Sequence, residues 1–263
     1  MTTKPCAKIN IGLDILRRRT DGFHDIETLM VPYRNLCDTL TIEESAKFKI
    51  EIIKDGRLMD GSVPGEWDPR KDLTVKAWQL LRKDFDLPPV AIHLEKGIPV
   101  GAGLGGGSAD ATFALRMLSE MFDLYLPDEM LEIYAAELGS DCAFFVHDGA
   151  MFASGRGEVL EMMEIPALEE LRAEVVVPEG ISVSTKEAYS AVVPQEVRTL
   201  PLREALKLPA AQWKGSIGND FEKGVFALHP TLAEIKEDFY RRGAVYAAMS
   251  GSGSAVFGLF ENN

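Results

Sequence analysis

The chain has few of the residues from which structural metal sites and disulfide frameworks are built. Three cysteines and four histidines occur among its 263 residues. The cysteines, Cys6, Cys37 and Cys142, are odd in number, and no CxxC pair or Cys/His spacing typical of zinc sites is present. We therefore expect reduced thiols, as in a cytoplasmic protein.

Long apolar runs are also missing. No stretch is apolar over the length that a bilayer requires, and residues 1–10 lack the apolar centre of a signal peptide. We expect a protein that is neither exported nor held by a membrane.

Basic residues are in short supply, with 28 Lys and Arg against 41 Asp and Glu and a formal net charge of -13. Because such a surface repels a polyanion, we expect no nucleic-acid partner. A phosphate group would have to be bound locally, by backbone N–H groups and one or two cations.

The composition is otherwise that of a globular protein, with 46% hydrophobic and 26% charged residues. Residues 7–15 alternate apolar and polar side chains, which predicts a half-buried strand with Lys8 and Asn10 on one face. The opening is predicted to be rich in strands, and the second half to mix helices and strands.

Apolar periodicity and turn residues predict the other elements. The predicted strands are residues 26–33, 39–43, 48–53, 90–94, 171–177, 244–249 and 255–260. The predicted helices are residues 73–81, 108–122, 128–138, 219–228 and 231–242, and one opened by the capping box 184–187. Ser140 is predicted to cap a further short helix that carries Asp141 in its first turn.

Residues 99–108 form a glycine-rich loop before a helix. Five of seven consecutive positions are glycine: Gly101, Gly103, Gly105, Gly106 and Gly107. Glycine lets the backbone approach an anion closely, and the start of a helix supplies free N–H donors and partial positive charge. The loop therefore predicts a polyphosphate site, whereas a flexible turn would explain one or two glycines only.

Two other phosphate loops fit this sequence less well. Gly101, Gly103 and Gly106 satisfy the dinucleotide fingerprint GxGxxG, but residues 95–99 separate them from the preceding strand, and the region near Asp123 follows a helix. A Rossmann-type NAD(P) oxidoreductase is therefore the second hypothesis for the function. The ATPase P-loop requires a lysine after its last glycine, where this chain has a serine.

The loop resembles the second motif of the galactokinase, homoserine kinase, mevalonate kinase and phosphomevalonate kinase (GHMP) superfamily. Residues 5–10 (PCAKIN) resemble its first motif and residues 250–254 (SGSGS) its third. Residues 21–24 (DGFH), 138–141 (LGSD) and 218–222 (GNDFE) narrow the resemblance to the branch that phosphorylates a cytidine-diphosphate alcohol. This resemblance runs along nearly the whole chain.

The resemblance implies an α+β fold of two domains, a ribosomal-protein-S5-like ATP-binding domain over residues 1–156 and a ferredoxin-like domain over residues 157–263. It also implies transfer of a phosphoryl group from ATP, with Mg²⁺, to the 2-hydroxyl of a small cytidine-diphosphate substrate in non-mevalonate isoprenoid biosynthesis. That transfer relies mainly on positioning and electrostatic stabilisation.

Site residues follow from the resemblance position by position. Asp141 matches the catalytic base and Lys8 the cation beside it, although a helix-start carboxylate and a solvated lysine are the plain alternatives. The ATP-binding positions are Lys96, Pro99, Gly101, Gly103, Leu104, Gly105, Gly106, Gly107 and Ser108, of which Ser108 is also the candidate Mg²⁺ ligand and N-cap. The substrate-binding positions are Asn10, Phe23, His24, Thr185 and Tyr189, with aromatic faces on the cytosine and His24 at its edge.

Two positions depart from the family pattern. Asp72 and Asp110 stand where asparagines are expected near the adenine, which leaves the nucleotide preference open. Other GHMP kinases, acting on mevalonate or a sugar, and a non-enzymatic nucleotide-binding or RNA-binding module also remain as alternatives.

Overall fold

A computed structural model of the chain describes residues 1–59 and 68–262. The strands are β1 Thr2–Thr3, β2 Cys6–Arg18, β3 His24–Cys37, β4 Thr39–Glu44, β5 Lys49–Lys54, β6 Arg57–Met59, β7 Val90–Lys96, β8 Met151–Ser154, β9 Val159–Met162, β10 Leu171–Val176, β11 Tyr246–Met249 and β12 Val256–Glu261. The helices are α1 Leu73–Phe85, α2 Gly106–Met121, α3 Asp128–Leu138, α4 Thr185–Ser190, α5 Leu202–Ala205, α6 Glu222–Leu228 and α7 Pro230–Arg241.

The chain forms two compact units that alternate along the sequence. The first unit comprises Met1–Ala7, Arg34–Val100 and Gly105–Asp148. The second comprises Lys8–Tyr33, Gly101–Leu104 and Gly149–Asn263. The division into domains at residue 156 stays a prediction.

The first unit is built on a five-stranded sheet in the order β1-β4-β7-β5-β6. Strand β7 lies at its centre, antiparallel to β4 and parallel to β5, and its alternate residues Val90, Ile92 and Leu94 are buried. Helices α1, α2 and α3 pack on one another. Asp72 begins α1, because its carboxylate accepts a hydrogen bond of 2.8 Å from the backbone N–H of Thr74.

The second unit contains two sheets, in the orders β2-β3-β8-β9 and β10-β12-β11. The three strands of the latter pair antiparallel, and α7 packs on β11 and β12. The amphipathic helix α7 buries Leu232 and Phe239 in a core shared with Val256 and Phe260. This core is apolar, and β11 and β12 are buried along nearly their whole length.

Most predicted elements are confirmed to within two or three residues, and α3 has the predicted bounds. Two expectations about these elements are wrong. Strand β2 is buried on both faces rather than one, from Ala7 to Ile15. Ser140 and Asp141 lie in a turn that precedes a short 3-10 helix, Ala143–Val146, so Ser140 is not the cap of a helix containing Asp141.

Across the described ranges, the longest apolar helical segments fall short of what a membrane crossing requires.

Candidate functional site

The glycine-rich loop ends at the start of α2. Gly105 is the N-cap residue, with a φ of 73°, and as a glycine it makes no side-chain hydrogen bond to the first turn. Ser108 is the third residue of the helix, so the predicted N-capping role of Ser108 is wrong. Backbone N–H groups at such a helix start have no intrahelical partner, which makes them donors for an anion.

The four loop residues of the second unit, Gly101–Leu104, contact the first motif (residues 5–10) and the third motif (residues 250–254). The backbone N–H of Lys8 donates to the carbonyl of Leu104 at 2.9 Å. The Ser250 hydroxyl donates to the carbonyl of Gly103 at 3.0 Å and accepts from the backbone N–H of Asn10 at 3.2 Å. The structure thus brings three segments, distant in the sequence, to one place.

Gly103 is confined by this packing. Its φ is 79°, and a Cβ added there would lie 2.1 Å from the carbonyl oxygen of Ser250. At Gly101, with a φ of 72°, an added Cβ would meet nothing within 4 Å. Of these two loop glycines, close backbone approach therefore requires Gly103 and not Gly101.

Lys8 and Asn10 point the same way from β2, as predicted, and both are buried with 3% of their surface exposed. The Lys8 ammonium donates to the amide oxygen of Asn10. The Asn10 amide nitrogen donates to Thr28 Oγ1 at 3.1 Å, and Thr28 Oγ1 donates to the carbonyl of Gly12 at 2.6 Å. This chain of bonds fixes the orientation of the Lys8 side chain. The solvated lysine considered for this position is excluded.

Asp141 belongs to the first unit and is half-buried in the turn after α3. Its neighbour Cys142 is buried, and burial raises the pKa of that thiol to about 11, opposed by a hydrogen bond with Ser108 and assisted by the Asp141 carboxylate. Thr112 Oγ1 donates to the carbonyl of Cys142 at 2.7 Å. Helix α2 thus holds the turn that carries Asp141, and the pairing of Asp141 with Lys8 stays a prediction.

Lys96 is part of a buried ionic cluster in the first unit, which we call the Lys96 cluster (Asp38, Lys96 and Asp110). Its ammonium donates to Asp110 Oδ2 at 2.6 Å and to Asp38 Oδ2. The other oxygen of Asp38 accepts backbone N–H groups of Gly97 at 2.6 Å and Ile98 at 2.7 Å. The Lys96 side chain is therefore buried and paired, and not solvated.

Burial and charge pairing have opposite effects on the pKa values in the cluster. Burial is the largest single effect on Lys96 and lowers its pKa, but Asp110 and Asp38 together outweigh burial and leave this pKa raised. Burial raises the pKa of Asp110 well above the usual range, against the attraction of Lys96. Among the described residues, Asp110 Oδ1 has no hydrogen-bond partner. Asp72 is likewise buried, and burial raises its pKa despite hydrogen bonds from Thr74.

Two of the predicted base-binding residues, His24 and Tyr189, form an aromatic cluster with Phe221 in the second unit. The His24 and Tyr189 rings stack with centroids 4.6 Å apart, and Phe221 meets Tyr189 edge-on at 4.8 Å. Burial lowers the pKa of His24, with a smaller contribution from Arg18. A neutral imidazole at this position offers one donor and one acceptor nitrogen.

Phe23 and Thr185 lie at the surface. Phe23 is 54% exposed, and the Arg156 guanidinium lies 5.1 Å from the centre of its ring. Thr185 is the exposed first residue of α4, after Ser184, whose hydroxyl accepts from the backbone N–H of Glu187 at 3.1 Å. The predicted cap of this helix is confirmed.

Sequence reasoning missed two residues that hold the site's backbone. Asp38 was not singled out, because nothing near it in the sequence indicates the loop segment that it binds. Asn219 lies in a motif that was recognised, but it was given no role. Its amide nitrogen donates at 2.8 Å to the carbonyls of Met249 and Gly251, and its amide oxygen accepts from Phe221 N–H.

Mg²⁺ would need few ligands from the protein. Within residues 1–59 and 68–262, no group of three or more His, Cys, Asp or Glu side chains could hold a metal ion. Kinases bind Mg²⁺ mainly through substrate phosphates, water and one or two protein oxygens. A hydroxyl in the first turn of α2, that of Ser108, fits this requirement.

Comparisons with known proteins agree over the whole chain. Residues 72–149 match the family model for the GHMP kinases N terminal domain, and residues 201–263 match GHMP kinases C terminal. The 4-diphosphocytidyl-2-C-methyl-D-erythritol kinase of Bacteroides fragilis is 46% identical over 262 residues, 99% of this chain and 92% of the relative. The Bacillus cereus enzyme of the same name is 36% identical over 268 residues, 100% of this chain and 89% of the relative.

Solved structures give the same result. A crystal structure of 4-(cytidine 5'-diphospho)-2C-methyl-D-erythritol kinase matches with a TM-score of 0.78 and 33% identity, over 98% of this chain and 90% of that one. Homoserine kinase from Cytophaga hutchinsonii matches with a TM-score of 0.70 and 19% identity, over 98% and 85% of the chains, and so shows the fold alone. The mixed helix-and-sheet GHMP kinase fold expected from the motifs is confirmed.

Proposed function

The chain belongs to the 4-diphosphocytidyl-2-C-methyl-D-erythritol kinase family of GHMP kinases, and we propose that it phosphorylates the 2-hydroxyl of 4-diphosphocytidyl-2-C-methyl-D-erythritol. It is a kinase, and the oxidoreductase alternative is set aside. The reaction serves non-mevalonate isoprenoid biosynthesis. The observation that carries the proposal is the glycine-rich loop that leads into α2, a helix whose N-cap residue is a glycine. The backbone of this loop is held by hydrogen bonds from Lys8, near the start of the sequence, and from Ser250, near its end.

ATP is the phosphoryl donor, and its phosphates bind the loop from Pro99 to Ser108. The free N–H groups of Gly106 and Gly107 and the helix dipole would offset phosphate charge. This local field matters because the net charge of -13 opposes anion binding. Mg²⁺ bound to the phosphates, with Ser108 as its protein ligand, would supply further charge neutralisation.

Asp141 and Lys8 have complementary roles in this proposal. The Asp141 carboxylate accepts the proton of the acceptor hydroxyl, whose oxygen then bonds to the γ-phosphorus of ATP while the bond from that phosphorus to the bridging oxygen breaks and ADP leaves. Lys8, oriented by Asn10, offsets the charge that develops on the transferred group.

The cytosine base binds at the aromatic cluster. Tyr189 and Phe23 offer ring faces for stacking, and neutral His24 can exchange hydrogen bonds with the base edge. Thr185 lies four residues before Tyr189 on the same helix, so both can contribute to one binding surface.

Lys96 contributes as a positioning residue in this proposal, because its ammonium is buried between Asp38 and Asp110 and Asp38 holds Gly97 and Ile98 at the entry of the loop. Direct contact of Lys96 with the nucleotide, and an effect of Asp72 or Asp110 on nucleotide choice, stay predictions. A cytoplasmic location and the lack of a nucleic-acid partner also stay predictions.

Acceptor-dependent ADP formation tests the proposed function. Purified protein with ATP and Mg²⁺ should release ADP with 4-diphosphocytidyl-2-C-methyl-D-erythritol and not with mevalonate, homoserine or galactose. Turnover with one of the other three alone would reassign the substrate within the GHMP kinases.

Asp141→Asn should then lower kcat by about 100- to 10,000-fold with little change in ATP affinity, since an amide cannot accept the proton. The control is Asp148→Asn, an exposed carboxylate of the same unit, which should leave kcat unchanged. Near-normal turnover of the Asp141 variant would contradict the assignment of the base.

A further inference from the structure

Two of the three cysteines face each other near the start of the chain. The sulfur atoms of Cys6 and Cys37 are 2.7 Å apart, and both thiols are free and partly exposed. The third, Cys142, is fully buried. Cys6 and Cys37 therefore form a dithiol that a small reagent can reach, and neither residue has a part in the proposed phosphoryl transfer.

The backbone around the pair already has the spacing of a disulfide. Strands β2 and β3 are neighbours in one sheet, joined by a short turn, and so run antiparallel. The backbone N–H of Asp38 donates to the carbonyl of Pro5 at 2.9 Å, which places Cys6 directly opposite Cys37 at the next, non-hydrogen-bonded position. Such positions have Cα atoms about 4.5 Å apart, inside the range that a disulfide spans.

The surroundings of the pair set how fast it can react. Burial, and after it the hydrogen bond and charge of Cys37, raise the pKa of Cys6 to about 11, while the nearby Arg34 guanidinium acts in the opposite direction. Because the thiolate is the attacking form, disulfide exchange at Cys6 should be slow at neutral pH and should become faster as the pH rises. The contact between the two sulfur atoms lets one attack and the other resolve the intermediate.

We propose that Cys6 and Cys37 are a reversible disulfide site that reacts with small-molecule disulfides such as glutathione disulfide. One cysteine thiolate attacks a sulfur of glutathione disulfide, forming a mixed disulfide and releasing one glutathione thiolate. The second cysteine then attacks the protein sulfur of that mixed disulfide and releases the second glutathione. The two thiols are oxidised by two electrons, one glutathione disulfide is reduced, and the two thiol protons pass to the two glutathiones.

The proposed disulfide lies next to Asp38, whose carboxylate accepts hydrogen bonds from the backbone N–H groups of Gly97 and Ile98, just before the glycine-rich loop. Cys37 precedes Asp38, and a Cβ added to Gly97 would lie 2.4 Å from the carbonyl oxygen of Cys37, so these backbones are in close contact. The cross-link closes the loop of chain between Cys6 and Cys37. It therefore constrains the unfolded chain and should raise the Tm by several degrees.

Mass spectrometry of the intact protein in glutathione buffers tests this site without any activity assay. The oxidised protein should lose two hydrogens, carry no glutathione, give a Cys6–Cys37 cross-linked peptide and return to the dithiol with dithiothreitol. At a fixed ratio of reduced glutathione to its disulfide, diluting both tenfold should raise the ratio of oxidised to reduced protein about tenfold, whereas a mixed disulfide would not respond.

Single variants supply the control. Cys6→Ser and Cys37→Ser each leave one reachable thiol and should gain one glutathione under the same buffers, while Cys142→Ser should oxidise like the unaltered protein. Persistence of three free thiols in the unaltered protein would overturn the proposal. Glutathione adducts accumulating on Cys6 or Cys37 of that protein, in place of the intrachain bond, would overturn it as well.

Discussion

The Lys96 cluster and the aromatic cluster hold their side chains by opposite means. In the first, an ammonium and two carboxylates have side chains that are 2% exposed or less, and each depends on the charge of another. In the second, His24, Tyr189 and Phe221 are joined by ring contacts whose energies are individually small. Losing one member should therefore be severe in the first cluster and gradual in the second.

Removing the cation of the Lys96 cluster should have the largest effect. Lys96→Met leaves the Asp38 carboxylate buried without its cation and Asp110 without its hydrogen-bond donor, so the free energy of unfolding should fall by about 3–5 kcal/mol. Denaturant unfolding monitored by circular dichroism measures this. Asp110→Asn is the matched control and should cost under about 1 kcal/mol, because the raised pKa of Asp110 already favours its neutral form. Equal losses in the two variants would remove the distinction that we draw.

A third kind of contact, the close approach of the Gly103 and Ser250 backbones in the glycine-rich loop, extends the comparison. Gly101 and Gly103 share a left-handed φ, so an alanine at either position carries a similar strain of about 1 kcal/mol. Only at Gly103 would the new Cβ meet the Ser250 carbonyl. Gly103→Ala should lower kcat/KM for ATP at least about tenfold more than Gly101→Ala. Steady-state kinetics with varied ATP would show the difference, and a larger loss at Gly101 would contradict it.

The aromatic cluster should respond more mildly and selectively. Tyr189→Leu removes a stacking face worth about 1–3 kcal/mol, so KM for the cytidine substrate should rise about 10- to 100-fold while KM for ATP stays within about twofold. Phe226→Leu, at another ring packed on the same core, is the control for a general packing defect. Similar changes in both KM values would show that Tyr189 supports the fold and not the base.

The smallest effect should come from Asp14, which pairs with Arg198 and has a side chain more exposed than those of the Lys96 cluster. Burial raises the pKa of Asp14 from 3.8 to about 6, against the attraction of Arg198 and with repulsion from Asp220. The folded protein therefore holds this proton more tightly than the unfolded chain, and the contribution of Asp14 to stability falls as the pH rises from about 4 to about 6.

Asp14→Asn removes that loss. The variant should be more stable than the unaltered protein by up to about 1 kcal/mol at neutral pH, after allowance for solvent screening, and the gain should vanish below about pH 4. Urea unfolding at both pH values measures it. Asp238→Asn, at an exposed carboxylate, should show no such pH dependence. A gain that is the same at both pH values would contradict the assignment to Asp14.

The sequence predicted the candidate ligand-binding residues better than the residues that hold the backbone. Lys8 and Asn10 were placed on one face from the period of β2, and their hydrogen bond confirms it. Helix α2 was predicted from residue 108 and begins at Gly106, because glycines at a helix start carry no apolar pattern. Local periodicity was therefore sufficient to place Lys8 and Asn10, but not to place the first turn of α2.

Long-range contacts explain the rest. Asp38 binds backbone N–H groups of residues about 60 positions away, and no local pattern predicts such a partner. Asp14 and Lys8 are polar, yet both faces of β2 are buried, because sheet packing overrides the alternating pattern. The turn at Asp141 was predicted as a helix start because Ser140 has the side chain of a cap, but Cys142 is the residue that precedes the 3-10 helix.

Phosphorus NMR of a single reaction mixture tests the central claim most directly. With the purified protein, ATP, Mg²⁺ and 4-diphosphocytidyl-2-C-methyl-D-erythritol, the γ-phosphate signal of ATP should disappear as ADP and a new phosphomonoester signal appear together, with the diphosphate of the cytidine compound intact. Loss of the ATP signal to inorganic phosphate alone, or no change at all, would contradict the assignment of this chain as a kinase of that alcohol.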